Sequence, residues 1–194
     1  MAFTPTLSKF GVPLVPGQSG IGILQPKLKY RFRVTMDRFA GLGPTLELTR
    51  QVKTVNRPQI QFSETPIHSY NNIMYIPKKP EWQTLEIVVQ DDVTSAVSRL
   101  INAQLQLQHN FFDQTSSLAG GSFKFRTKIE TLDGGNVGVL EAWYLEGCYL
   151  TTVAYDNFDY SSSDAVQITM TLRFDNAQQD TSVLGAAEGL LAGA

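Results

Sequence analysis

Apolar and polar residues alternate along several stretches of the chain. In "AVQITMTLRFD", Val166, Ile168, Met170, Leu172 and Phe174 oppose Gln167, Thr169, Thr171 and Arg173, the period of a strand with one face in the core and one in water. "LKYRFRVTM" repeats the pattern, with Leu28, Tyr30, Phe32, Val34 and Met36 against Lys29, Arg31, Arg33 and Thr35. "WQTLEIVVQ" places Leu85, Ile87 and Val89 on one face. "FKFRTKIETL" sets Phe123, Phe125 and Ile129 against Lys124, Arg126, Lys128 and Glu130. "DGGN" is a turn, and "GVLEAWYLEG" and "YLTTVAYDNF" read as two further strands. "LTRQVKTVNRPQIQFSE" is expected to be a strand interrupted near Pro58, where the missing N–H implies an edge, a bulge or a change of sheet.

After Gln90 the period changes to that of a helix. Asp91 or Asp92 can cap its first amides, and Val93, Val97, Leu100, Ile101 and Leu105 follow on one face, to an end near Asn110. "FFDQTSSLAGGS" closes the helix as a loop. Strands, one helix, then strands again, with no alternating βαβ order, predict a mainly β fold: an antiparallel β-sandwich or barrel with one α-helix packed against it.

Two segments depart from any period. Residues 1–26, rich in Gly and Pro, are expected to form an extended N-terminal arm, and residues 177–194 a weakly apolar C-terminal tail, leaving 27–176 as the folded domain. "TPIHSYNNIMYIPKKPEW" places Asn71-Asn72 between short apolar runs bounded by prolines, the pattern of a projecting hairpin or long loop. Ile67, Tyr70, Ile73, Met74, Tyr75 and Ile76 would leave apolar surface on it, and such surface calls for a partner.

Composition adds a charge asymmetry. Residues 1–90 carry eleven Lys/Arg against five Asp/Glu, and residues 91–194 five against thirteen, within a net charge of −2. One basic and one acidic face would favour head-to-tail self-association. The single cysteine, Cys148, allows neither an internal disulfide nor a multi-cysteine zinc site. The N-terminal stretch does not read as a signal peptide and no apolar run reaches membrane-span length, so a protein made in a cytoplasm, with no stable membrane association, is expected.

The search for chemistry finds little. No G-x-S-x-G occurs, His68 and His109 have no ligand spacing, Asp91-Asp92 sit where helix caps belong, and neither "GLGPTL" nor "GQSGIG" is a phosphate loop. No catalytic residue, metal or cofactor is expected. The basic cluster Lys27, Lys29, Arg31, Arg33 and Arg38 lies on a strand of an acidic protein, which favours a sheet surface or subunit contact over tight nucleic-acid binding.

In the order of its features the chain resembles the tail tube proteins of contractile-tailed bacteriophages, and more distantly the haemolysin-coregulated ring protein of type VI secretion. The resemblance spans about residues 27–176 and rests on "LKYRFRVTM", on "VKTVNRPQIQF" leading into the long loop, on "LEIVVQDDVTSAVSRLINAQ", and on "LEGCYLTTVAYDNFDYSSSDAVQITMTLRFDNA". It implies hexameric rings stacked into a tube inside a sheath, a baseplate initiator and a tail terminator as partners, a tape measure protein in the lumen, and genomic DNA passing through without specific binding. The place is the virion tail, assembled in the bacterial host. It also implies an acidic or neutral lumen, for which Glu130, Glu141, Glu146, Asp156, Asp159 and Asp164 are the expected charges. The apolar content of Thr65–Trp82 predicts that this loop makes the ring-to-ring contact. A baseplate tube-initiator, a secretion ring protein, and a small β-barrel enzyme or ligand-binding protein are the alternatives.

Overall fold

The computed structural model describes residues 27–43, 45–118, 120–133 and 138–180. The arm over 1–26, most of the "DGGN" turn and the tail beyond Asp180 lie outside the described residues. The chain divides at Arg31 into two units, and of the first only 27–31 is described, a turn in which the Arg31 N–H donates to the Leu28 carbonyl at 3.2 Å.

In the second unit, β1 is Phe32–Asp37, followed by a 3-10 turn at Phe39–Gly41, α1 at Leu46–Gln51 and β2 at Val52–Val55. Then come β3, Ile60–Ser69, β4, Asn72–Trp82, β5, Leu85–Gln90, and α2, Ala96–Gln108. Two short strands, β6 (His109–Asn110) and β7 (Thr115–Ser116), and α3 (Gly120–Phe123) lead to β8, Phe125–Leu132. The chain continues through β9, Val139–Tyr155, β10, Gln167–Arg173, and β11, Asn176–Asp180.

The main sheet runs β1-β8-β9-β10-β5-β2, with β11 also on β9, and all its pairings are antiparallel. The fold is thus mainly antiparallel β with one main helix, as the alternation implies. Strand β9 holds it together. Its first part pairs with β8, from Leu132↔Val139 to Phe125↔Cys148, and Ala142–Glu146 pair with β11 on the other side. Its last part, Tyr149–Tyr155, pairs with β10.

Alternation sends one face of each half of the sheet inward. Val34, Met36, Phe125, Ile129 and Leu145 from one half meet Leu85, Ile87, Val89, Leu150, Ile168, Met170 and Leu172 from the other in a single buried cluster. Each such side chain contributes roughly 1.5–3 kcal/mol by leaving water. Helix α2 adds Val97 and Ile101, and Phe39 packs edge-on against Phe125 with ring centroids 4.9 Å apart.

Several expectations are corrected. "YLTTVAYDNF" does not begin a new strand, because "GVLEAWYLEG" runs straight into it as β9, seventeen residues long. Gly147 permits this at φ 67°, where a Cβ would collide with the Asp175 carboxylate, itself paired with Lys124 at 2.6 Å. "LTRQ" is helical, because burying Leu48 in the core outweighs the local alternation. Residues 28–31 form the turn described above, so the first strand starts at Phe32. Phe123 belongs to α3 and its strand starts at Phe125. The loop after α2 contains the β6–β7 pair. Strand β11 carries the sheet past the expected end of the domain at 176.

The helix begins at Ala96, with Ser95 before it in the left-handed region at φ 54°. Asp92 still serves the helix start, because its Oδ1 accepts the Ala96 N–H at 3.0 Å and its Oδ2 accepts the Thr94 hydroxyl at 2.7 Å. These bonds, the Thr94 one first, hold its carboxyl below the usual range. Val93 is left in solvent by this cap turn rather than facing the core.

Candidate functional site

The described surface offers little to a reaction. Cys148 is buried, and loss of water pushes its thiol up to about 11. His109 is engaged by Ser116 Oγ at 3.0 Å and Gln114 Oε1 at 3.4 Å. Among the described residues no group of three or more His, Cys, Asp or Glu is placed to hold a metal, and no helix is long and apolar enough to cross a membrane. A cleft of ≈ 290 Å³ is lined by Pro80, Glu81, Trp82, Tyr149, Arg173, Phe174 and Asp175. Its charged groups already have partners, since Arg173 holds Glu81 at 2.7 Å and Lys124 holds Asp175.

The β3–β4 hairpin is the most unusual surface. Its turn is Tyr70-Asn71, with Tyr70 at φ 46° and the Ile73 N–H donating to Asn72 Oδ1 at 2.9 Å. Among the described residues the two strands pair only with each other, and ten residues of β3 reach about 33 Å. At the base, Trp82 packs on Phe174 with centroids 5.7 Å apart, and the Gln83 N–H donates to the Gln59 carbonyl at 2.9 Å.

Cross-strand register sorts the side chains. Ile67 lies opposite Met74 and Thr65 opposite Ile76 on one face, while His68 lies opposite Ile73 and Pro66 opposite Tyr75 on the other. Both faces are apolar and both are exposed: Ile67 41%, Met74 60% and Ile76 45% on one, Ile73 46% and Tyr75 61% on the other. Tyr70 is fully exposed at the tip. The structure therefore brings together the six residues singled out above. The hairpin also starts earlier than expected and adds exposed Ile60 and Phe62, a continuation visible in the alternation of "PQIQF".

The six acidic residues divide into three environments. Glu130 is buried between Arg33 at 2.6 Å and Lys128 at 2.7 Å, its cross-strand and same-strand neighbours. Burial pushes its carboxyl up, but hydrogen bonds and charge from the two cations outweigh this and hold it below the usual range. The same contacts raise Arg33 and Lys128, and the Lys128 ammonium lies 5.1 Å from the centre of the Tyr144 ring. Glu141 is buried too, accepting the Trp143 indole N–H at 2.7 Å with Arg57 at 3.5 Å. Glu146 is exposed on the outer face of β9.

Asp156, Asp159 and Asp164 share the exposed connection between β9 and β10 with Phe158 and Tyr160. Asp159 organises a tight turn by accepting the Ser161 N–H at 2.9 Å, which lowers its carboxyl. This loop of bare aromatics among carboxylates was not singled out as a unit by the alternation, because it belongs to no strand.

No family model matches the chain, and no curated protein matches it. Solved structures do share its fold. A chain of the anti-feeding prophage tube-terminating cap is 17% identical, with TM-score 0.62 over 82% of this chain and 94% of that one. A chain of the sheath–tube complex of an extracellular contractile injection system, in its extended state, is 16% identical, with TM-score 0.61 over 81% and 93%. A chain of the six-fold symmetrised anti-feeding prophage baseplate is 12% identical, with TM-score 0.59 over 81% and 97%.

Proposed function

We propose that this chain is a structural subunit of the inner tube of a contractile tail, its copies closing as six-membered rings that stack around an open channel. The observation that carries this is the β3–β4 hairpin. An isolated two-stranded ribbon is marginal in water, and one with exposed apolar side chains on both faces is built to be covered by something else. The fold shared with chains of a tube cap, a sheath–tube complex and a six-fold baseplate supports the same conclusion.

In this assignment the protein is a wall rather than an enzyme. Ring-to-ring contact runs through Ile67, Tyr70, Ile73, Met74, Tyr75 and Ile76. The sheath lies outside, a baseplate initiator and a terminator bound the tube, and a tape measure protein and then the genome occupy the lumen of the virion tail. Glu146, Asp156, Asp159 and Asp164 are the acidic groups free to give the channel its sign. Glu130 and Glu141 are enclosed beside cations of their own chain and contribute less. Likeness to cap and baseplate chains favours one second reading, a ring that starts or ends such a tube.

Electron microscopy of the purified protein, with light scattering for its mass, separates these. Tubes of indefinite length support the tube subunit; single or paired rings support the terminal one; a monomer at every concentration, with or without a baseplate nucleus, rejects both. Replacing Ile73, Met74 and Tyr75 with Ser should leave the fold intact and abolish tubes.

A further inference from the structure

Around the last turn of α2 the described surface is apolar and open. Leu107 on the helix and Leu42 beside it are about half exposed, as is Phe111, while Phe112 and Leu118 stand almost wholly in solvent where the chain turns back past the helix end. Hydrogen bonds fix these positions. The Phe111 N–H donates to Gln106 Oε1 at 3.2 Å, the Phe112 N–H to Asn110 Oδ1 at 2.9 Å, and the Ser117 N–H to the Gln108 carbonyl at 3.4 Å. The turn that presents Leu42 holds Arg38 at φ 63° and Ala40 at φ 55°, conformations that are costly for residues with a Cβ. It is kept there by buried Phe39 and by the Ala40 N–H donating to Gln104 Oε1 at 2.8 Å. The side chains are therefore displayed by a built scaffold.

Two elements measure how far this surface lies from the connection between β9 and β10, whose carboxylates are assigned above to the channel. The start of α2 is beside that connection, because the Asp91 N–H donates to the Val166 carbonyl at 3.0 Å, and the thirteen residues of the helix then cover about 20 Å. Along β10, Gln167 adjoins the connection, and Leu172, about 17 Å further on, lies opposite Leu150, the residue that Gln108 holds. With the connection at the channel, the far end of α2 is directed to the outside of the tube.

We infer that this surface is where the sheath attaches, a sheath subunit docking an apolar segment against Leu42, Leu107, Phe111, Phe112 and Leu118. This rests on the tube reading above and on its channel assignment, and adds the place and chemistry of the outer contact. The patch is too small for a permanent joint between copies. It offers on the order of 500 Å² of apolar surface, short of the roughly 800 Å² per partner of a stable interface. That size suits a partner that has to let go, because a sheath that shortens around a tube of fixed length must release its rings. Charge does not supply the attraction, since α2 carries a single charged residue, Arg99, toward its other end. The docking segment is therefore apolar rather than acidic or basic.

The test uses the full chain assembled into tubes, with the purified sheath protein of the same tail as the probe. Phe112→Ser combined with Leu118→Ser removes the two most exposed side chains of the patch and leaves the core untouched. Parent tubes should sediment with sheath. The variant should form tubes of ordinary length that need about tenfold more sheath, or beyond, for half-coverage. Equal coverage of parent and variant, or no sheath on parent tubes, overturns the inference and leaves the tube reading intact. A folded variant that forms no tubes also overturns it, because the surface is then a joint between copies. A parent that forms no tubes removes the tube reading, and this inference with it. Phe112→Cys labelled with a thiol-directed benzophenone gives a second measurement, selective because Cys148 is buried. Irradiated, sheathed tubes should yield a product of one tube chain and one sheath chain, and a product of two tube chains overturns the assignment.

Discussion

Gln108 on α2 and Leu150 on β9 exchange two hydrogen bonds: the Gln108 Nε2 donates to the Leu150 carbonyl at 3.0 Å, and the Leu150 N–H donates to Gln108 Oε1 at 3.0 Å. The pairing of β9 with β10 shifts register here, and the glutamine amide satisfies backbone groups at the irregularity. One turn earlier, Gln104 accepts the Ala40 N–H at 2.8 Å and donates to the Phe123 carbonyl at 2.7 Å. The helix is fastened by amides as well as by Val97 and Ile101.

Gln108→Leu keeps helix propensity and approximate volume but leaves the Leu150 amide and carbonyl without these partners. We expect a loss of about 1–3 kcal/mol, read as a lower midpoint in urea at unchanged slope. A change within about 0.5 kcal/mol, the range of an ordinary surface substitution, would mean that the paired bonds hold nothing.

The cluster around Glu130 gives a pH dependence whose sign is fixed. Its carboxyl lies below the ordinary range in the folded protein, so the unfolded chain takes up the proton first as pH falls. The stabilisation is complete above the ordinary carboxylate range and is lost as pH drops through the lowered folded value. Glu130→Gln should be less stable by about 1–2 kcal/mol at pH 7, a modest figure because Arg33 and Lys128 are partly exposed. Its stability should also fall less steeply than the parent's below pH 5. Parallel acid slopes in the two proteins would show that another carboxylate governs that limb.

At Gly147, alanine meets two separate obstacles, the positive φ and the Asp175 carboxylate. Gly147→Ala should destabilise by about 1–3 kcal/mol. In an Asp175→Ala background the carboxylate collision is gone, leaving the backbone strain and a tight 3.2 Å approach to the Cβ of residue 175, so the same substitution should be milder. A double-mutant cycle in thermal unfolding measures the difference, and strict additivity would argue that the two residues do not meet.

Much of the fold was legible because alternation is a direct imprint of burial. Val166 to Phe174, Leu85 to Val89 and Val34 to Met36 each announced their strand, and Asn71-Asn72 between apolar runs announced the hairpin. Features that depend on distant partners were not legible. Nothing local distinguishes Gly147, which continues a strand, from a glycine that ends one; Asp175, far along the chain, makes the difference. Lys128 is a local partner of Glu130, but the second, Arg33, is on another strand, and the local pattern does not mark the carboxylate as enclosed. Leu48 belongs to a helix because a core elsewhere accepts it. The apolar content of the hairpin could be read directly, but its division into two opposed faces required the register of Ile67 with Met74 and His68 with Ile73.

The length of β9 has a mechanical consequence. Because Val139–Tyr155 crosses both halves of the sheet without a loop, a pull applied to one half reaches the other through covalent backbone and does not have to pass through side-chain packing. Separating the halves along that direction would mean shearing the ladders to β8 and β10 together, a concerted failure rather than the opening of a hinge. The fold is therefore continuous along this strand, with no loop at which its two halves could swing apart.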